Sequence, residues 1–431
     1  MTVQIGVARA DITPPIGIEM IGFAGRDPSF EIHDALHATA MAVSEGQSRS
    51  LLFTLDLLQL SAATVARLRQ RIAIASGVPA SQITLACTHN HYGPAVEDDT
   101  SDLVAAYREH LGHVLAGIGG QAIAALQPAR LGLGWGQSDI GINRREWHDG
   151  RIVLGNNPEG PVDHSVGLVR IETTDRRPLA TLLNYACHPV SQRGQMAAIS
   201  ADFPGRATAL VAQLTGAPCL YLQGACGDVN PVRMESSYEP ARSQGVRLGC
   251  EAVRLWETIE TEEVEGLASK SQVVELPAYR YGSAAAAAQL VDELRQDISD
   301  RTQTGDTDSG PLWWAQHRLE KSLAAVESWR SGSTLPCVEA EVSAIQFGPL
   351  ALATAPGEIF TEDGQTVKQS SVSQHTFFLG YTNGSIGYVP TRAAYAEGGY
   401  EVTHACRVDP EAGEMITDAC RQLLSTIAAG Q

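Results

Sequence analysis

From Ile5 to Pro231 this chain interleaves short apolar runs with helix-like stretches, and that alternation leaves few folds open. Strands are predicted at 5–8, 36–43, 50–57, from 83 onward, and at 131–136, 166–173, 179–186 and 219–223, with helical periodicity at 61–76, 101–126 and 203–214. A chain that mixes the two periods this way builds an α/β fold. The expectation is a large mixed sheet flanked by helices, with catalytic loops gathered at strand ends, where ligands bind in such sheets. Core strands resume at 337–347, 350–355 and 376–380, and the polar stretch 141–146 reads as a loop. Residues 283–329 differ in kind: alanine-rich, charged, and broken at 300–310, they read as a helical insertion or lid within a single domain spanning 1–431.

Composition narrows the partners. With 44% hydrophobic and 19% charged residues, the chain has the balance of an ordinary globular enzyme. Its net charge of -18 would repel nucleic acid and anionic membrane surfaces, which leaves a small-molecule substrate as the expected partner and a homo-oligomer open. Eight cysteines without any Cys-X-X-Cys spacing predict free thiols, and neither a zinc ribbon nor a redox pair. The N-terminus lacks the basic start, apolar core and cleavage site of a secretory signal, and no stretch is apolar for long enough to span a bilayer. A cytoplasmic protein without stable membrane insertion is the expectation.

Chemistry collects at the strand ends. The run from Ile83 delivers Thr88-His89-Asn90-His91 before Gly93 and Pro94 stop it. Alternate side chains of an extended chain share a face, so His89 and His91 are expected to point the same way. Such a pair suits one metal site, or one ligand with one acid/base partner, and on its own reads equally as two structural histidines capping a strand. His188 stands at the end of another predicted strand. His110 and His113, at i and i+3 on a predicted helix, permit a shared metal, although a solvated helix face is the plainer reading. Asp56, Asp202 and Asp228 are the strand-end carboxylates that a two-metal phosphoester hydrolase would need.

Taken in order, Asp11-Ile12-Thr13, Thr88 to Pro94, His188, Gly227-Asp228-Val229-Asn230-Pro231, Pro356-Gly357-Glu358, and Tyr388-Val389-Pro390-Thr391 followed by Tyr400-Glu401 resemble the neutral/alkaline (non-lysosomal) ceramidase family. The resemblance spans nearly the whole chain. It implies an α/β catalytic domain that holds one zinc ion and hydrolyses the amide bond of an N-acyl sphingoid base. Carried over by motif, it implies His89, His188, Glu358 and Tyr388 as ligands of Zn2+, a nitrogen and oxygen set that suits this ion. His91 is then the candidate acid/base, and Arg144 with the Tyr388 hydroxyl would steady the oxyanion. The plainer role for Arg144 is a salt bridge to Glu146 or another surface acid. Asn230 could donate to the oxyanion or orient substrate, and Asp228 could hold a ligand histidine, although both are also ordinary turn residues.

Two positions depart from the family pattern. Asn230 stands where the family has a serine often named as its nucleophile, and an amide cannot be acylated as a hydroxyl can, so only a zinc-water route remains. Glu397-Gly398-Gly399 makes a more flexible lead-in to Tyr400-Glu401. The family's C-terminal β-sandwich domain is not expected in this chain. With the charge, these features move the expected substrate from ceramide to a smaller, soluble N-acyl or cyclic amide, cleaved at its carbon-nitrogen bond by a zinc-dependent amidohydrolase. Ester or lactone hydrolysis would use the same attack, and a catalytically silent binding protein that retains the fold is the competing class.

Overall fold

The computed structural model describes residues 2–97, 101–194, 196–305 and 310–430. Successive side chains along its central strands divide between two cores. In the antiparallel neighbours His37–Glu45 and Ser48–Leu55, Ala38, Ala40, Ala42, Leu51 and Phe53 face one way, while Met41, Val43 and Leu52 face the other. A sheet buried on both faces needs apolar residues at both parities, which is why its strands read as continuous apolar runs.

The large sheet runs, in spatial order, Cys219–Gln223, Pro178–Tyr185, Ser165–Thr173, Gln127–Gln137, Gln4–Asp11, His37–Glu45, Ser48–Leu55 and Ile83–Cys87. Its two outermost pairs are parallel and need crossovers, which helices Asp202–Thr215 and Ala62–Ser76 supply. Ser61 caps the second of these by accepting from Thr64 N at 3.2 Å, and Gly77 ends it in the left-handed conformation. Helices Asp102–Ala124 and Glu239–Thr258 complete this outer layer.

Against the opposite face lies a second sheet, ordered Leu267–Leu276, Val338–Phe347, Leu350–Thr354 and His375–Leu379. Its Phe347, Leu350, Leu352 and Phe377 share a core with Leu131, Val169, Leu182 and Leu222 of the large sheet. Helices Thr361–Gln369 and Ala412–Ala429 cover its far side through Val367, Ile416 and Leu424. The architecture is thus helix, sheet, sheet, helix. Helices Ala284–Thr304 and Gly310–Ser331 pack on each other as a hairpin, and part of the break expected at 300–310 lies outside the described residues. No helix among the described residues is long and apolar enough to cross a membrane, and all eight cysteines are free.

Residues 141–146 are not a loop. They belong to strand Gly141–His148, which turns through Asp149 and Gly150, both at positive φ (49° and 82°), into strand Arg151–Asn157. Asp-Gly is the hairpin signal for such a turn. The charges that suggested a loop are buried by pairing: Arg144 and Arg145 both reach the same carboxylate.

Candidate metal centre

Strand Ile83–Cys87 ends before the histidine pair, and His89 takes φ 63°, a left-handed conformation that a side chain with a Cβ rarely adopts. The expected shared face of an extended strand is therefore replaced by a kink, and the kink brings the His89 and His91 Nε2 atoms to 3.2 Å. His188 enters from beyond strand Pro178–Tyr185. Glu358 and Tyr388 are direct partners in the short parallel ladder of Glu358–Ile359 with Tyr388–Val389. Glycine makes the close approaches: a Cβ at Gly227 would strike the Glu358 carbonyl, and one at Gly22 (φ 110°) would lie 2.9 Å from His91.

Each imidazole is tied through Nδ1 to backbone. His89 meets Leu58 O at 3.0 Å, His91 meets Gly22 O at 3.0 Å, and His188 meets Cys226 O at 2.6 Å and Val229 O at 3.1 Å. A carbonyl only accepts, so each Nδ1 carries the proton and each Nε2 presents a lone pair. Glu358 Oε2 joins them, 3.0 Å from His188 Nε2 and 3.2 Å from His89 Nε2. Acceptors so close repel one another unless a cation lies among them. Zinc bound to nitrogen at about 2.0–2.1 Å in a tetrahedron separates its ligands by about 3.3–3.4 Å, which these spacings approach. His89, His91 and His188 form a group able to hold a metal ion, the one found among the described residues.

The protonation states suit that role. Burial, with His89 and His188 adding repulsion, pushes the His91 imidazole well below its ordinary value; burial, then the Arg144 charge, brings His188 down to about 4. Burial opposes ionisation of Glu358, but His89 and His188 hold its carboxyl well below the usual range. Readily deprotonated His91 and His188 and an ionised Glu358 are what a metal requires of its surroundings.

Arg144 lies beside this cluster, its Nη1 3.4 Å from His188 Nε2 and 3.2 Å from Asn230 Oδ1, its guanidinium 5.2 Å from the centre of the Tyr388 ring. The bridge to Glu146 does not form; Arg144 Nε donates instead to the fully buried Glu401 at 2.8 Å, which also accepts from Arg145 Nη1 at 2.8 Å. Glu146 accepts from Asn156 N. Arg144 Nη2 is buried without a partner. Asp228 does not hold a histidine: its oxygens accept from Thr361 N and Oγ1 at 2.9 and 2.8 Å and from Asn143 Nδ2 at 3.0 Å, and backbone carbonyls serve His188 in its place. Asp56 accepts from His37 N and Asp202 from Ser191 N, both outside the metal group, so the carboxylates of a two-metal site are not gathered here. His113 is exposed and faces Glu109 at 3.2 Å, and with His110 stands apart from the cluster.

The sequence reading gave no role to two contributors. Tyr381 stacks on His89 at 3.9 Å between ring centres, held by a loop in which Asn383 pairs with Leu85 through both N and Oδ1 at 2.9 Å. Glu401 is the other. Only the position of Tyr381 after a strand-ending glycine could have marked it. A cavity of about 1070 Å³ opens onto His89, His91, Glu358 and Tyr388, walled by Phe23 and by Trp313 and Trp314 of helix Gly310–Ser331.

Two solved structures share this arrangement of elements. Neutral ceramidase from Pseudomonas aeruginosa superposes with a TM-score of 0.73 and 18% identity, over 100% of this chain and 74% of that one. A ceramidase complexed with C2 gives 0.73 and 19%, over 100% and 75%. The fold is that of the neutral ceramidases. No protein-family model and no curated protein matches the sequence. On this ceramidase-like fold the histidine cluster occupies the ends of strands from the large sheet, and Glu358 and Tyr388 come from segments that follow the smaller one.

Proposed function

We propose that this chain is a zinc-dependent amidohydrolase that cleaves the carbon-nitrogen bond of a small N-acyl or cyclic amide. The observation that supports it most is the convergence of inward-facing Nε2 lone pairs and the Glu358 carboxylate at one end of a substrate-sized cavity. In this reading His89, His188, Glu358 and Tyr388 hold Zn2+, which when bound lowers the pKa of water to about 7 and polarises a carbonyl. His91, its tautomer fixed by Gly22 O, takes the proton of the attacking water at Nε2 and returns it to the leaving nitrogen. The unpartnered Arg144 Nη2 donates to the amide oxygen as charge develops there, with Glu401 and Asn230 orienting the guanidinium. Asn230 thus positions an arginine and offers no hydroxyl for acylation.

The structural neighbours are ceramidases, so an N-acyl amide is the substrate class their name brings to this site. A cytoplasmic location belongs to the same proposal. The 3.2 Å between His89 and His91 favours one second reading, in which His91 is itself a metal ligand. The test is a panel of N-acyl amides, cyclic amides, esters and lactones with protein stripped by chelator and reloaded with zinc. Amide cleavage that follows the zinc supports the proposal; preference for esters or lactones shifts the bond, and bound zinc without turnover leaves a binding protein.

A further inference from the structure

The chain as a whole carries a charge of -18, yet the cavity reverses that balance. Of the charged side chains that line it, Glu358 is engaged by His89 and His188, and the others are cations, Lys321 and Arg407. Neither cation makes an ion pair or side-chain hydrogen bond among the described residues. Exposed arginines such as Arg71, Arg242 and Arg392 do find carboxylates, at 2.7 Å. Lys321 projects from helix Gly310–Ser331. Arg407 comes from the opposite wall, where its side chain runs along Gly387 and its neighbour Cys406 bridges Tyr388. Both line the same cavity, and beyond the effect of burial the Arg407 charge depresses Lys321 while the neighbouring Glu320 acts the other way. Two cations that line one half-enclosed site without a carboxylate bound to either favour an anionic group there.

Leu312, Trp313 and Phe23 give part of the wall an apolar surface suited to an acyl chain, beside polar Gln59, Gln316 and Ser385, so the anion belongs to the other half of the molecule. We infer that the substrate is an N-acyl amine whose amine half carries an anionic group, a carboxylate or a phosphate, received by Lys321 and Arg407. The inference rests on the amidohydrolase reading and names the substrate class of that site.

The experiment compares kcat/KM of the zinc-loaded protein for N-dodecanoylglycine, N-dodecanoylethanolamine phosphate and the neutral N-dodecanoylethanolamine. An anionic probe should exceed the neutral one by about tenfold or more, with added salt shrinking the ratio, and the better of the two anions identifies the group. In the Lys321→Met/Arg407→Met double variant the ratio should fall towards parity, and Arg407→Lys should restore part of it. A wild-type ratio at or below one overturns the inference while cleavage of the neutral probe preserves the hydrolase. A ratio that persists in the double variant overturns the assignment to these residues. Should no probe be cleaved, the hydrolase reading falls, and calorimetric binding then decides: equal affinity for N-dodecanoylglycine and the neutral amide overturns the anion site.

Discussion

Half-buried His91 and buried Arg144 each have one polar atom left over, and what those atoms meet decides the chemistry. His91→Ala should leave zinc content near that of wild type and reduce kcat by about 10²–10⁴, as loss of a general acid/base does. Zinc lost together with activity would make His91 a ligand instead. Arg144→Ala should lower kcat by about 10²–10³ with little change in zinc, the cost of one oxyanion donor, and an unchanged kcat would remove it from the reaction. At this scale the strand-end histidines were legible from the strand pattern, whereas Glu358 and Tyr388 were named from the family resemblance; His89, Glu358 and Tyr388 line one cavity, and His188, buried beside it, comes within 3.0 Å of Glu358. It was not legible where a role depends on distant pairing. Glu401 serves arginines 257 and 256 residues away, and nothing in its local sequence announces that.

Among the elements, helix Thr361–Gln369 carries a cost that pH should expose. Burial, then Glu362, Asp228 and Glu414, push the Asp363 carboxyl up to about 7, and its Oδ2 is buried without a partner. A native value above the unfolded one means the folded state holds the proton more tightly, so stability falls as pH rises from about 4 to about 7. Asp363→Asn should therefore raise the melting temperature by a few degrees at about pH 8, and by less at about pH 5. A gain that is independent of pH would contradict this account. The helical hairpin is the second case. If helices Ala284–Thr304 and Gly310–Ser331 act as a lid, deleting 283–329 should admit substrates more freely and reduce discrimination between acyl chains; unchanged kinetics would end that idea. Hairpin 141–157 shows why element prediction failed in one place: a strand whose charges are paired internally looks like a loop when only polarity is read.

Across the whole molecule, the candidate centre is a seam. Histidines from the large sheet meet Glu358 and Tyr388 from segments after the smaller one, stitched by Gly227 N to Ile359 O at 2.9 Å and Cys87 N to Tyr381 O at 3.1 Å. The α/β class and the large sheet were legible because doubly buried strands are apolar at both parities. The second layer was less so, since strand Leu267–Leu276 exposes Ser271, Val273 and Glu275 on one face and Lys270 on the other and gives only a weak pattern. A metal ion at the seam would need donors from both sides at once. Elemental analysis of purified wild-type protein, supplied with zinc and dialysed, beside a Glu358→Gln variant tests that most directly. The account predicts near-stoichiometric zinc in the wild type and a large loss in the variant. A wild-type protein that takes up no transition metal would contradict it.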